Sequence, residues 1–190
     1  MKFKHKTINT SRLKLRRPLL FDAEDLFVCT GNPNVCKYEG WRKHNSPFET
    51  MNFVNNLMLC YDEGFCYDFV IEEKASGRAV GVINLHDIDF TKDIGYIGYW
   101  FAEDVWGKGY GTEAVTAFVD FFMKKAGIKV IYALCHPQNT ASFRLLEKAG
   151  FVFDGEKKDD YFISRTDGTK TDVLLRYKLT ADEFFSKAGQ

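Results

Sequence analysis

The stretch "GYWFAEDVWGKGYGTEAVTAFVDFF", residues 98–122, decides the fold. It opens as an aromatic run of strand character and turns through Gly107, Gly109 and Gly111. Ala114, Val115, Phe118, Phe121 and Phe122 then recur at helical spacing until Gly127 supplies a stop. A glycine-rich turn at the start of a helix points several backbone N–H groups inward and adds the positive end of the helix dipole. That combination suits an anion, phosphate above all. The glycines permit unusual dihedrals and close approach, and Lys108 adds a point charge. A purely structural bend is the alternative. The spacing is not the G-x-G-x-x-G of a dinucleotide site, and "GKG" lacks the hydroxyl residue that follows the lysine of a Walker A loop.

Upstream, "SRLKLRRP" alternates like a strand, and "LFDAEDLFVCTGNP" gives a helix with Asp22 as N-cap and Gly-Asn-Pro as its stop. "SPFETMNFVNNLMLCYDEG" carries Ser46 as cap, Pro47 at the first helical position and Glu49 three residues after the cap. "CYDFVIEEK", "RAVGVINLHDI" and "DIGYIGYWFAE" read as an antiparallel meander. Downstream, "IKVIYALCH" is apolar without alternation, which predicts a strand buried on both faces with a parallel neighbour. "NTASFRLLEKAGF" is a short helix between Asn139 and Gly150, and two strands around the Asp167-Gly168 turn close the chain. The order is β, α, α, β, β, β, α, β, α, β, β. It is an α/β (α+β) arrangement with a mixed, mostly antiparallel seven-stranded sheet, four helices and one parallel crossover.

With 190 residues, 45% hydrophobic and 27% charged, the chain reads as one globular domain over residues 1–190. Twenty-six basic residues balance 26 acidic ones, so no global field recruits nucleic acid or a membrane surface, and an anionic ligand must be met locally. The basic amino terminus has no apolar h-region and no apolar run is long enough to span a bilayer, which predicts a cytoplasmic protein, monomeric or homodimeric. Five cysteines without a C-x-x-C pair, and four scattered histidines, fit neither a disulfide framework nor a metal site.

From Ser11 to Thr180 the chain resembles the GNAT superfamily of N-acetyltransferases, and within it the ribosomal-protein N-acetyltransferase-like branch. "SRLKLRRP", "GYIGYWFAEDVWGKGYGTEA", "HPQNTASFRLLEKAGF" and "DDYFISRTDGTKTDVLLRYKL" carry the resemblance. Trp106, Gly109 and Gly111 fall on the fixed positions of the superfamily's Q/R-x-x-G-x-G/A pyrophosphate motif, with Trp106 where the superfamily has Gln or Arg. The resemblance implies acetyl-CoA as donor, without metal. It places the pyrophosphate over Trp106, Gly107, Lys108, Gly109, Tyr110, Gly111 and Thr112, and the pantetheine arm along Phe101, Ala102 and Glu103. A bulge in that strand would splay it from the strand ending at His136 and open a V between the fourth and fifth strands.

Acetyl transfer to an amine needs an uncharged nitrogen, donors for the oxyanion and a proton for the thiolate. Backbone N–H groups near Phe101 are candidates for the oxyanion. The resemblance puts Asn139 on the cofactor arm and Ser142 on the sulfur; capping of the short helix is the plainer role for both. It also offers Asp160 of "DDY" as a base acting through water, with Glu103 and His86 as rivals, or attack without a dedicated base. Trp41 is a candidate for the acceptor wall or for a core aromatic. The implied activity is direct acetylation of a primary amine such as a protein N-terminus. The alternatives are a small amine (polyamine or aminoglycoside) as acceptor, or a non-catalytic acyl-CoA-binding module.

Overall fold

The computed structural model describes residues 6–64, 66–158 and 173–188. The strands are β1 (Ile8–Asn9), β2 (Leu13–Arg16), β3 (Tyr67–Glu73), β4 (Ala79–Asp89), β5 (Ile94–Phe101), β6 (Val130–Cys135), β7 (Val152–Lys158) and β8 (Val173–Thr180). They form one sheet in the order β1-β2-β3-β4-β5-β6-β8-β7, antiparallel throughout except between β5 and β6. The helices are α1 (Asp22–Thr30), α2 (Pro33–Cys36), α3 (Pro47–Glu63), α4 (Tyr110–Phe121), α5 (Thr140–Lys148) and α6 (Ala181–Ala188). The expected mixed sheet with its single parallel crossover through α4 is therefore present.

Several elements differ from expectation for identifiable reasons. The sheet has eight described strands instead of seven, because Ile8 and Asn9 pair with Leu15 and Lys14 at its edge. Among the described residues there are six α-helices instead of the expected four. "GNP" stops α1 and also starts α2, since the Asn32 side chain accepts from the Asn34 amide at 2.9 Å and Pro33 follows at the first helical position. Helix α6 has its own capping box, Thr180 with Glu183, at 3.1 and 3.3 Å. Asp22 is not an N-cap: Phe21 takes that position, and the Asp22 carboxylate turns inward to the Arg16 guanidinium at 2.9 and 2.6 Å. β6 is not buried on both faces. Ile131, Ala133 and Cys135 point into the core, while Tyr132 lies on the outer face, stacked on Tyr96. The Asp167-Gly168 turn lies outside the described residues.

The crossover helix is fixed by packing at one end and by charge at the other. Phe118 of α4 and Phe122, the residue that follows the helix, meet Phe69 of β3 edge-on, with centroids 5.7 and 6.3 Å apart, and all three rings are fully buried. At its start, Glu113 accepts from Thr10 Oγ1 at 2.6 Å, from the Arg12 amide at 2.9 Å and from Arg12 Nε at 2.6 Å, so the β1–β2 turn is tied to the first turn of α4. Burial opposes this charge, but the donors of Thr10, Arg12 and Ser11 prevail and hold the carboxyl down at about 2. The stabilisation is complete above the ordinary glutamate value of 4.5 and is lost as pH falls towards about 2. Glu113→Gln is expected to cost about 2 kcal/mol at pH 7, or about 4–8 °C in the thermal midpoint. Melting curves across the acid range should show its deficit closing below pH 4.5.

Candidate functional site

The parallel pairing of β5 with β6 runs from Ile94↔Val130 to Ile97↔Ala133 and stops there. Beyond it β5 stays with β4 as far as Phe101↔Gly81, and β6 stays with β8 as far as Cys135↔Leu175. Each strand follows its outer partner, and the sheet opens between them. The expected bulge in β5 is absent: its ladder with β4 is in register from Tyr96 to Phe101, and the irregularity falls on β4 between His86 and Asp89, where Asp87 has a φ of 47°. The opening holds a cavity of about 730 Å³. Ladder alternation turns the Tyr99 and Phe101 N–H groups towards it, since Ala102 and its even-numbered neighbours bond to β4.

One wall is the glycine-rich turn. Gly107 and Gly109 have φ values of 73° and 80°, and a Cβ on Gly107 would meet no atom within 4 Å, so these two supply dihedrals and not space. Gly111 works differently. A Cβ there would lie 2.3 Å from Leu145 Cδ1, so this glycine lets α5 pack against α4. The first helical bond of α4 runs from the Glu113 amide to the Gly109 carbonyl, at 3.1 Å, which leaves the N–H groups of residues 110–112 as helix-start donors on the cavity wall. Helix α5 begins on the same cavity, where Asn139 caps it by accepting from the Ser142 amide at 3.2 Å.

The cavity brings together Phe101, Trp106, Gly107, Gly109, Tyr110, Gly111, Thr112, Asn139 and Ser142. Ala102, Glu103 and Lys108 are not among its lining residues. The Ala102 amide is used by the Val80 carbonyl at 2.8 Å, and Glu103 accepts from the Asn32 and Asn34 side chains at 2.6 and 2.9 Å. Lys108 gives its carbonyl to Arg12 Nη1 at 2.9 Å. Trp106 donates its indole N–H to the Phe101 carbonyl at 2.9 Å, closing the turn on the end of β5. Asp160 lies outside the described residues, and His86 belongs to a second cavity described below.

Three cavity residues escaped the sequence reading. Tyr99, which resembles a core aromatic, places its hydroxyl 3.1 Å from Ser142 Oγ. Burial raises its pKa further than the Ser142 bond lowers it, so the phenol stays protonated. Burial pushes the Cys135 thiol up to about 12, which removes the thiolate at neutral pH. Glu39, in the loop after α2, lies against this cavity and against a second one of about 240 Å³ behind β5. Burial among protein atoms lifts its carboxyl to about 7, against a lowering contribution from the Trp41 indole.

A family model described as the acetyltransferase (GNAT) domain matches residues 12–152. The chain belongs to the GNAT family. The uncharacterized N-acetyltransferase p20 of Bacillus licheniformis is 31% identical to it over 160 residues, covering 80% of this chain and 86% of that one. A GNAT acetyltransferase from Bacillus anthracis superposes with a TM-score of 0.80 at 26% identity, over 93% of this chain and 99% of the other. RimL, a ribosomal alpha-N-protein acetyltransferase solved in complex with coenzyme A, superposes with a TM-score of 0.81 at 20% identity, over 94% and 99%. This GNAT chain is thus an N-acetyltransferase, and the opening between β5 and β6 is the cleft of its fold. Gly109→Asp would put a side chain in left-handed backbone and a negative charge on the helix start. CoA affinity should fall at least about 100-fold by titration calorimetry, with the fold retained in circular dichroism.

Proposed function

We propose that this GNAT enzyme takes its acetyl group from acetyl-CoA and transfers it directly to a primary amine, the α-amino group of a protein N-terminus. The observation that carries the reading is a single cleft that joins a helix-start anion site to the hydrogen-bonded Ser142–Tyr99 pair. Backbone N–H groups over residues 107–112 suit a pyrophosphate. The N–H groups of Tyr99 and Phe101, turned to the open side of β5, suit a pantetheine arm lying like a strand and the developing oxyanion. Asn139 stands at the arm, with its cap bond intact. Ser142, backed by the protonated Tyr99, supplies the proton to the leaving sulfur. Direct attack fits the neutral Cys135 thiol, which is no nucleophile at this pH. The similarity to RimL supports a protein N-terminus as acceptor.

Thiol release from acetyl-CoA in the presence of amidated peptides with free N-termini tests the reading; tight CoA binding without release from any primary amine would sink it. Ser142→Ala keeps the backbone amide that Asn139 caps, so it separates chemistry from structure. The expected result is a loss of about 10–100-fold in kcat with an unchanged Kd for CoA. Equal losses in both would reduce Ser142 to part of the helix start.

A further inference from the structure

The second cavity lies on the other face of the sheet from α4. Its floor is one register row, Asp68↔Asn84↔Gly98, with His86 and Trp100 beside it. Its apolar walls are Trp41, Phe53, Leu57 and Val82. Trp41 is the keystone, with ring centroids 6.1 Å from Phe53 and 5.9 Å from Trp100. The loop that presents it is pinned by the His44 amide on the Thr30 carbonyl at 2.9 Å and by His44 Nδ1 on Thr50 Oγ1 at 2.9 Å. A chamber of about 240 Å³ is below the usual size of a pocket for a drug-sized ligand and suits one side chain.

Four residues line both cavities: Glu39, Gly98, Tyr99 and Trp100. Gly98 leaves the partition without a side chain on that face, because a Cβ there would lie 2.7 Å from Asn84 Oδ1. The partition therefore has a single carboxylate, Glu39, with the cleft on one side and the chamber on the other. We propose that Glu39 takes the proton from the acceptor's ammonium group, and that the acceptor enters through the aromatic chamber with the side chain of its first residue held there. This rests on the reading of the cleft as the acetyl-CoA site.

The chemistry balances without a further reactant. The ammonium gives one proton to the Glu39 carboxylate. The freed nitrogen pair forms the C–N bond and the C–S bond breaks; Ser142 gives its proton to sulfur, the nitrogen's second proton restores the Ser142 hydroxyl, and Glu39 returns the first proton to solvent. The groups facing Glu39 preserve its basicity. Burial keeps Cys36 of α2 and Tyr99 of β5 neutral, and burial raises Asp68 of β3 against its bonds from Cys66 and Asn84. Among the chamber's lining residues only His86 of β4 can carry positive charge. A base lifted to about 7 by burial is matched to work at neutral pH. A free amino acid would have to bury its own carboxylate against a mainly apolar chamber whose charged partner is at most His86, so the acceptor class is a peptide N-terminus and not a free amino acid.

The test uses the full chain, acetyl-CoA and amidated tripeptides with an apolar first residue. For wild type, kcat/KM should rise through a limb near pH 7, and a free amino acid of the same side chain should react at least about 100-fold more slowly. Glu39→Gln should lose about 100-fold in kcat at pH 7 and lose that limb, keeping only the dependence set by the amine. Its Kd for CoA should stay as in wild type. If the Gln variant is not folded by circular dichroism, Glu39→Asp decides: a rate about tenfold down with the limb retained is expected. Full rate with an unchanged profile in whichever variant is folded overturns the assignment of Glu39, and free amino acids reacting as well as the tripeptides overturns the chamber. Loss of CoA binding to wild type would instead sink the cleft reading.

Discussion

The structure depends on a loss of pairing. Between Ile97↔Ala133 and the ends of β5 and β6, two neighbouring strands of one sheet give up their mutual hydrogen bonds. Each can do so because it remains bonded along its other edge, β5 to β4 and β6 to β8. A sheet interior with free N–H groups is costly unless something polar meets them. The helices that start on this opening, α4 and α5, bring more unpaired donors to the same space. The whole arrangement is an excess of backbone donors waiting for oxygen atoms.

That excess has to be held rigid, and the ties are distributed through the molecule. Glu113 fastens the start of α4 to the β1–β2 turn, and Arg12 reaches past it to the Lys108 carbonyl. Leu145 of α5 fills the space that Gly111 leaves at the start of α4, so the two helices are in direct contact there. On the opposite face, the Thr30, Thr50 and His44 bonds hold the loop of Glu39 and Trp41 against α1 and α3. Burial leaves His44 less basic than usual, so this support carries no charge at neutral pH.

Much of this was legible in the residues. The Ser46 cap is there, with Ser46 Oγ accepting from the Glu49 amide, although Glu49 returns its bond to the Asn45 amide instead of to Ser46 itself. Gly109, Asn139 and Ser142 were visible because local geometry dictates them: a left-handed residue, a cap, a helix start. Glu39 was not, because its neighbours come from α2, β5 and its own loop, and no period in the sequence announces that an irregular segment sets a carboxylate between two cavities. Tyr99 was hidden by the opposite problem, since an aromatic in a strand reads as core whether or not its hydroxyl meets a partner. The Thr180–Glu183 box of α6 was readable and passed over beside a strand. The splay was expected from a local bulge, whereas it comes from allegiance to outer strands, which only the assembled sheet reveals.

Trp106 shows what the opening asks of the chain before any ligand arrives. Its indole occupies the Phe101 carbonyl, the last acceptor of β5, and its ring, 47% exposed, lies over the mouth. An unpaired strand edge invites another chain to add itself, and proteins blunt such edges with bulges, charges or covering groups. Here the vulnerable edge lies inside the sheet, so the usual devices of an outer strand do not apply. The aromatic at position 106 acts as a stopper at the end of that edge. Its indole N–H takes the Phe101 carbonyl that would otherwise be left open on that edge.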